Sequence, residues 1–312
     1  MAQPQPQTSI FYHTGRGVFR ALFVVALPCA LVSRHFQAIE NWRTALADLP
    51  VFEEMQGKFR TGIELAGQSF RHETSHFYDP DARQILPQKQ RGAAPPGEAE
   101  HAQPTIFWHR QEIENELVAS LPDARRKSVR AFLDYIETYR GLALDEMRRA
   151  KIPASVTLAQ GLLESDAGRS FLATEAHNHF GIKCRQRTAR RGNSLTDNDF
   201  GSHSLAVDCV QRTDDHAWDR FEVYPAADAS FRRHSLLLLG ERYAWMLAAY
   251  PVGEICRLPR PLFGKTEAPY YAAWSLGLKM SGYATSPRYA EKLTLIIETY
   301  QLWKIDYEAI MN

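Results

Sequence analysis

Residues 152–184 read IPASVTLAQGLLESDAGRSFLATEAHNHFGIKC, and the fold of the chain turns on this stretch. Pro153 suits the first turn of a helix, where its missing N–H is no loss. Ile152, Val156, Ala159 and Leu163 recur at the spacing of one buried helical face, which Leu158 and Leu162 widen. A helix apolar over so much of its circumference belongs in the centre of a domain. Its last turn carries an acid, Glu164, shortly before Gly168 breaks the helix; Ser170 then caps a second, shorter one. At the mouth of a cleft such a carboxyl is half desolvated, and desolvation favours its neutral form. A neutral carboxyl is what a general acid needs. The same spacing also fits a helix that simply ends on the surface, so the choice falls to the motifs around it.

Upstream, residues 106–121 read as helical. Val129, Phe132, Leu133, Ile136, Tyr139, Leu142, Ala143 and Met147 then mark a long amphipathic helix with an Arg-rich solvated face. Downstream, residues 181–224 lose the helical period and gain Gly192, Asn193, Gly201 and short apolar alternations, which predicts an irregular β-hairpin or small sheet. Asp197, Asp199, Asp208, Asp214, Asp215, Asp219 and Glu222 crowd this region, most of them as ordinary turn residues. Asp228 is placed to cap a helix carrying Phe231 and residues 236–239. The Pro-rich segment 251–269 reads as a surface loop between helices. Residues 270–280 form a helix closed by Gly282, and Ser286 with Pro287 start a last helix whose buried stripe is Tyr289, Leu293, Ile296, Ile297 and Tyr300. The predicted class is α+β, mainly helical, with one β-hairpin excursion.

The first third is different in character. Arg16 and Arg20 precede ALFVVALPCALVS at 21–33, the basic-then-apolar order of an export signal or retained membrane anchor. Residues 34–104 read as a spacer, mostly flexible, ending in the breaker cluster QKQRGAAPPGEAEHAQP at 88–104. Residues 105–312 are left as the folded domain. Of 312 residues, 45% are hydrophobic and 23% charged, enough for one good core, while a net charge of +1 argues against a nucleic-acid partner. With four cysteines, no CxxC and no His/Cys ligand spacing, nothing requires a metal or cofactor.

The run from Ile152 through LLES and GRS to NHFGIKC is followed, about a hundred residues on, by Tyr271, Trp274, GLKMSGYAT at 277–285, Tyr289 with Ala290, and a helix to Trp303. In this order the two blocks resemble glycoside hydrolase family 73, bacterial peptidoglycan N-acetylglucosaminidases with a lysozyme-like domain, over residues 125–306. The resemblance implies a hydrolase of the cell envelope that cuts the glycan strand after N-acetylglucosamine, with Glu164 as the acid. Its second carboxylate is sought on the hairpin, where Asp214 or Asp215 in QRTDDHAW is the candidate; participation of the substrate's N-acetyl group would make one unnecessary. Tyr283, in GYAT, corresponds to a tyrosine near the acid. Asn178, Phe180 and Trp218 are candidates for holding the sugar, the two aromatics through flat faces or, equally, as core. Two positions depart from the family pattern: Arg233 stands where an acid often precedes His234, and Ser286 where an Asp often follows GYAT. In an exported protein a Cys184–Cys209 bridge would restrain the hairpin; in a cytosolic one both are buried thiols. Rival readings are a lytic transglycosylase and a catalytically weak wall-binding or scaffold protein.

Overall fold

The computed structural model describes residues 34, 36–46, 107–119, 121, 123–188, 205–212, 214 and 219–311. The export or anchor segment 1–33 lies outside them. The chain enters through a helix at 36–46 (α1), followed by Arg110–Val118 (α2), Asp123–Ala150 (α3), Ala154–Ser165 (α4) and Phe171–Glu175 (α5). Three strands, Lys183–Thr188 (β1), Asp208–Arg212 (β2) and Asp219–Val223 (β3), form an antiparallel sheet with β3 in the middle. Helices Ala227–Leu238 (α6) and Glu241–Ala249 (α7) lead to a second hairpin, Ile255–Leu262 (β4) with Lys265–Pro269 (β5). Helices Tyr270–Met280 (α8), Tyr289–Thr299 (α9) and Trp303–Met311 (α10) complete the fold. The α+β, mainly helical class is the one expected.

Helix α4 is the centre. Every residue of it is buried except Leu163 and Glu164, so its one open side is the side that carries the acid. It packs on α3, α8, α9 and α10. Against α3 the approach is close because position 161 is glycine: a Cβ there would collide with the hydroxyl of Tyr135. A buried helix also leaves its first N–H groups without water. Asp306 of α10 answers this, accepting from the Ser155 backbone N–H at 2.8 Å, from Ser155 Oγ at 2.5 Å and from Tyr270 Oη at 2.6 Å. At the other end Asp166, Ala167 and Gly168 all take left-handed backbone conformations, which stops the helix within two residues of Glu164.

Several boundaries differ from the sequence reading. The segment 251–269 holds the β4–β5 hairpin rather than a loop. Cys256, Leu258 and Leu262 point inward while Pro259 and Pro261 of β4 lie within an exposed run, as a two-stranded sheet allows because each strand is an edge. Helix α9 starts at Tyr289 with Arg288 as its cap residue, leaving Ser286 and Pro287 in the preceding turn. Ala226, not Asp228, occupies the cap position of α6. The helix expected to reach Trp303 ends at Thr299, and Gln301, with its positive φ, separates α9 from α10.

Part of the segment read as spacer is structured on the domain. In α1, Ile39, Trp42 and Leu46 are buried, Trp42 Nε1 donates to the Glu267 carbonyl at 3.2 Å, and Arg43 Nε reaches Glu298 Oε2 at 2.7 Å. Glu298, otherwise a buried charge, also accepts from the Tyr271 hydroxyl. Cys184 and Cys209 are joined by a disulfide with Cα atoms 6.5 Å apart, tying β1 to β2 across the sheet. The loop it closes spans 25 residues.

Two stability measurements follow. Trp42→Ala should lower unfolding free energy by about 3 kcal/mol in urea titration, as for other buried aromatics; wild-type stability would mean that α1 does not dock. Cys184→Ser should cost roughly 3 kcal/mol through the denatured state, and a reductant should lower the wild-type midpoint but not that of the variant.

Candidate active site

Glu164 sits in the last turn of α4, half-buried, where the left-handed turn drops the chain away and opens one side of its carboxyl. Burial is the dominant influence and lifts its pKa to about 7; a hydrogen bond from Tyr289 and the charge of Lys292 pull it down, while Asp214 pushes it up. Tyr289 Oη donates to Glu164 Oε1 at 3.1 Å. Burial, then the proximity of Glu164, hold the Tyr289 and Tyr283 phenols well above their usual range, so both stay protonated. The rings of Tyr283 and Tyr289 stack at 5.8 Å. The Tyr283 hydroxyl is buried and has no hydrogen-bond partner among the described residues.

Opposite stands the first sheet. Asp214 is half exposed and lies close enough for its charge to act on Glu164, while Lys183 Nζ holds Asp214 Oδ2 and Asp219 Oδ2, each at 2.8 Å. The structure therefore brings Glu164, Asp214 and Tyr283 together; Asp215 and Trp218 lie outside the described residues.

Two other candidates are placed elsewhere. Asn178 is buried with its side chain fully engaged by backbone: Nδ2 donates to the Ile182 and Glu222 carbonyls at 3.0 and 2.8 Å, and Oδ1 accepts from the Ile182 N–H at 3.1 Å. It fastens the sheet to the turn after α5 and has no group left for a sugar. Phe180 is buried too, packed edge-on against Phe231 and flat on His234 at 4.0 Å, so it is core rather than a sugar platform. Arg233, the departure before His234, has a partner of its own: its guanidinium spans both oxygens of buried Glu222 at 3.2 and 3.4 Å, and Tyr224 Oη donates to the same carboxylate at 2.6 Å.

Sequence reasoning missed Tyr289 as a site residue, reading it only as core stripe. It also missed Gln160, whose Nε2 donates to Tyr289 Oη at 3.0 Å, and Lys183. A signal for Gln160 was present, since it is an amide in the midst of an otherwise apolar turn. Among the described residues no cluster of three or more His, Cys, Asp or Glu could hold a metal ion.

Residues 140–302 match the model of a family described as "Glucosaminidase: Mannosyl-glycoprotein endo-beta-N-acetylglucosaminidase". The chain is 30% identical over 172 residues to exo-glucosaminidase LytG of Bacillus subtilis, a match covering 55% of this chain and 52% of that protein. It is 36% identical over 162 residues to an N-acetylmuramoyl-L-alanine amidase domain-containing protein of Staphylococcus aureus, covering 50% of this chain and 22% of that one. The chain thus spans about half the length of the first relative and less of the second. Among solved structures it is similar to the catalytic domain of the autolysin Auto from Listeria monocytogenes, with 22% identity, TM-score 0.36, and 64% of this chain and 98% of that one covered.

The raised pKa has a thermodynamic signature. Between the 4.5 of an exposed glutamate and about 7, folded Glu164 holds a proton that the unfolded chain has released. Its contribution to stability is therefore full below about 4.5 and is lost as pH rises through about 7. Glu164→Gln removes that dependence, so calorimetry from acid to mildly alkaline pH should show the variant gaining on the wild type; a pH-independent difference would mean an ordinary, solvated carboxyl.

Proposed function

The chain belongs to the glucosaminidase family, and from that membership together with the buried acid we propose that it is a peptidoglycan hydrolase cleaving the glycosidic bond after N-acetylglucosamine. The observation that carries the reading is Glu164, an acid that burial keeps protonated near neutrality on the one open side of an otherwise enclosed helix. Cleavage begins with proton transfer from Glu164 to the departing glycosidic oxygen as the bond to the anomeric carbon breaks. The sugar is left with positive charge at that carbon. Asp214, held by Lys183 yet half exposed, is the group that faces this charge or directs a water onto it. Tyr283 supplies its open hydroxyl to the reacting sugar. Water adds at the anomeric carbon, and a proton returns to the Glu164 carboxylate.

An envelope location goes with this substrate, since peptidoglycan lies outside the cytoplasm. Residues 1–33 would provide export or anchoring; among the described residues no helix is long and apolar enough to cross a membrane.

Digestion of purified peptidoglycan should release fragments with N-acetylglucosamine at the new reducing end, identified by mass spectrometry after borohydride reduction. A 1,6-anhydro end would make the protein a lytic transglycosylase, and binding without turnover a wall-binding protein. Glu164→Gln should lower turnover by about 10²- to 10⁴-fold with the fold intact, whereas a variant keeping half the activity would remove Glu164 from the chemistry. Asp214→Asn should also lower turnover without lowering the thermal midpoint appreciably.

A further inference from the structure

His234, Gln160 and Tyr289 form a single file of hydrogen bonds that ends on Glu164. His234 is wholly buried on α6, with its ring flat on Phe180, its Nε2 3.1 Å from Gln160 Oε1, and its Nδ1 without a partner among the described residues. Burial, helped by the charge of Arg233, lowers its pKa to about 3, so the ring is neutral under working conditions. A neutral imidazole facing a carbonyl oxygen must carry its hydrogen on the facing nitrogen. With the Gln160 oxygen toward the ring, that places the proton on Nε2 and leaves the amide's N–H groups facing away from the histidine. The amide's other end, Nε2, then donates to Tyr289 Oη at 3.0 Å. With that lone pair engaged, the single hydroxyl hydrogen of Tyr289 is directed to Glu164 Oε1 at 3.1 Å. Each link leaves the next one orientation.

We propose that His234 and Gln160 are positioning residues: they set the direction of the Tyr289 hydroxyl, which occupies Glu164 Oε1 as an acceptor and leaves Oε2 as the oxygen that carries the reactive proton. The inference rests on Glu164 being the acid. It assigns work to two side chains that contact no substrate and to a histidine that never changes charge. With the amide turned over, its oxygen would face Tyr289 and take the hydroxyl hydrogen, and Glu164 would then lose a donor that favours its ionised form. The other groups acting on Glu164 are Lys292 from α9, Asp214 from the sheet and Tyr283 from the turn before α9, and none of these belongs to the file.

The test reads Glu164 itself, without substrate. In protein carrying ¹³C-carboxyl glutamate, the Glu164 resonance is identified by its loss in Glu164→Gln and titrated. Tyr289→Phe should raise its pKa by about one pH unit, the worth of one hydrogen bond to a charged group. Gln160→Met, similar in volume, should move it in the same direction, and should add nothing in the Tyr289→Phe background. His234→Phe, which keeps the stack on Phe180, should repeat that pattern and serves if Gln160→Met fails to fold. In hydrolysis the alkaline limb of kcat should rise with the titration. An equal shift from Gln160→Met or His234→Phe with and without the Tyr289 hydroxyl would overturn the proposal, as would no shift. Because the titration needs no glycan, absence of turnover on peptidoglycan would count against the proposed function and leave this result standing.

Discussion

A helix enclosed on nearly every side can be stable only if both of its ends are provided for, and the rest of this domain is arranged around that requirement. At the amino end of α4, Asp306 accepts the Ser155 N–H, and its negative charge lies at the positive end of the helix dipole. The same carboxylate takes hydroxyls from Ser155 and Tyr270, so α4, α8 and α10 meet at one group. At the carboxyl end Glu164 has a single donor among the described residues, the Tyr289 hydroxyl. There the dipole is negative, and together with burial it disfavours a second negative charge. Two acids therefore occupy opposite ends of the same helix, and burial raises the pKa of both, Asp306 to about 6 against hydrogen bonds from Ser155 and Tyr270 and Glu164 to about 7 against one from Tyr289.

The chemistry follows from this imbalance more than from any single contact. Tyr289 donates enough to orient Glu164 but not enough to keep it ionised at neutral pH. Across from it, Asp214 is more exposed and lies 2.8 Å from Lys183 Nζ. Two carboxyls in unlike surroundings are the pattern of the two-carboxylate scheme for glycosidic cleavage. Tyr283 adds a hydroxyl without a partner among the described residues.

What was legible in the sequence was local. The α4 stripe and the break after Glu164 lie within a few turns of one another, and the helices at 270–280 and 289–299 announce themselves by period. Long-range partnerships were not legible. Gln160 and Tyr289 are 129 positions apart, and a buried tyrosine at stripe spacing reads as packing whether or not its hydroxyl has work to do. Asn178 and Phe180 were candidates for holding the sugar, Phe180 equally for the core, because a polar residue and an aromatic close after α4 look available in sequence. Only the fold shows the amide consumed by backbone at Ile182 and Glu222 and the ring consumed by Phe231 and His234. The β4–β5 hairpin was hidden by its prolines, which signal a loop unless the strand is known to be an edge. Arg233, a departure from the family pattern in the sequence, is half of an ion pair with Glu222 of β3.

The docking of α1 changes the mechanics of the amino-terminal segment. Leu46 and Trp108 are both buried in the same core, and Arg43 and Trp108 bind the two ends of one stretch, through the Glu298 carboxylate and the Tyr300 carbonyl. Residues 43 and 108 are thus both anchored on the domain. A pull on the chain ahead of α1 would be borne by Trp42 and Arg43 before it reached the helices around Glu164.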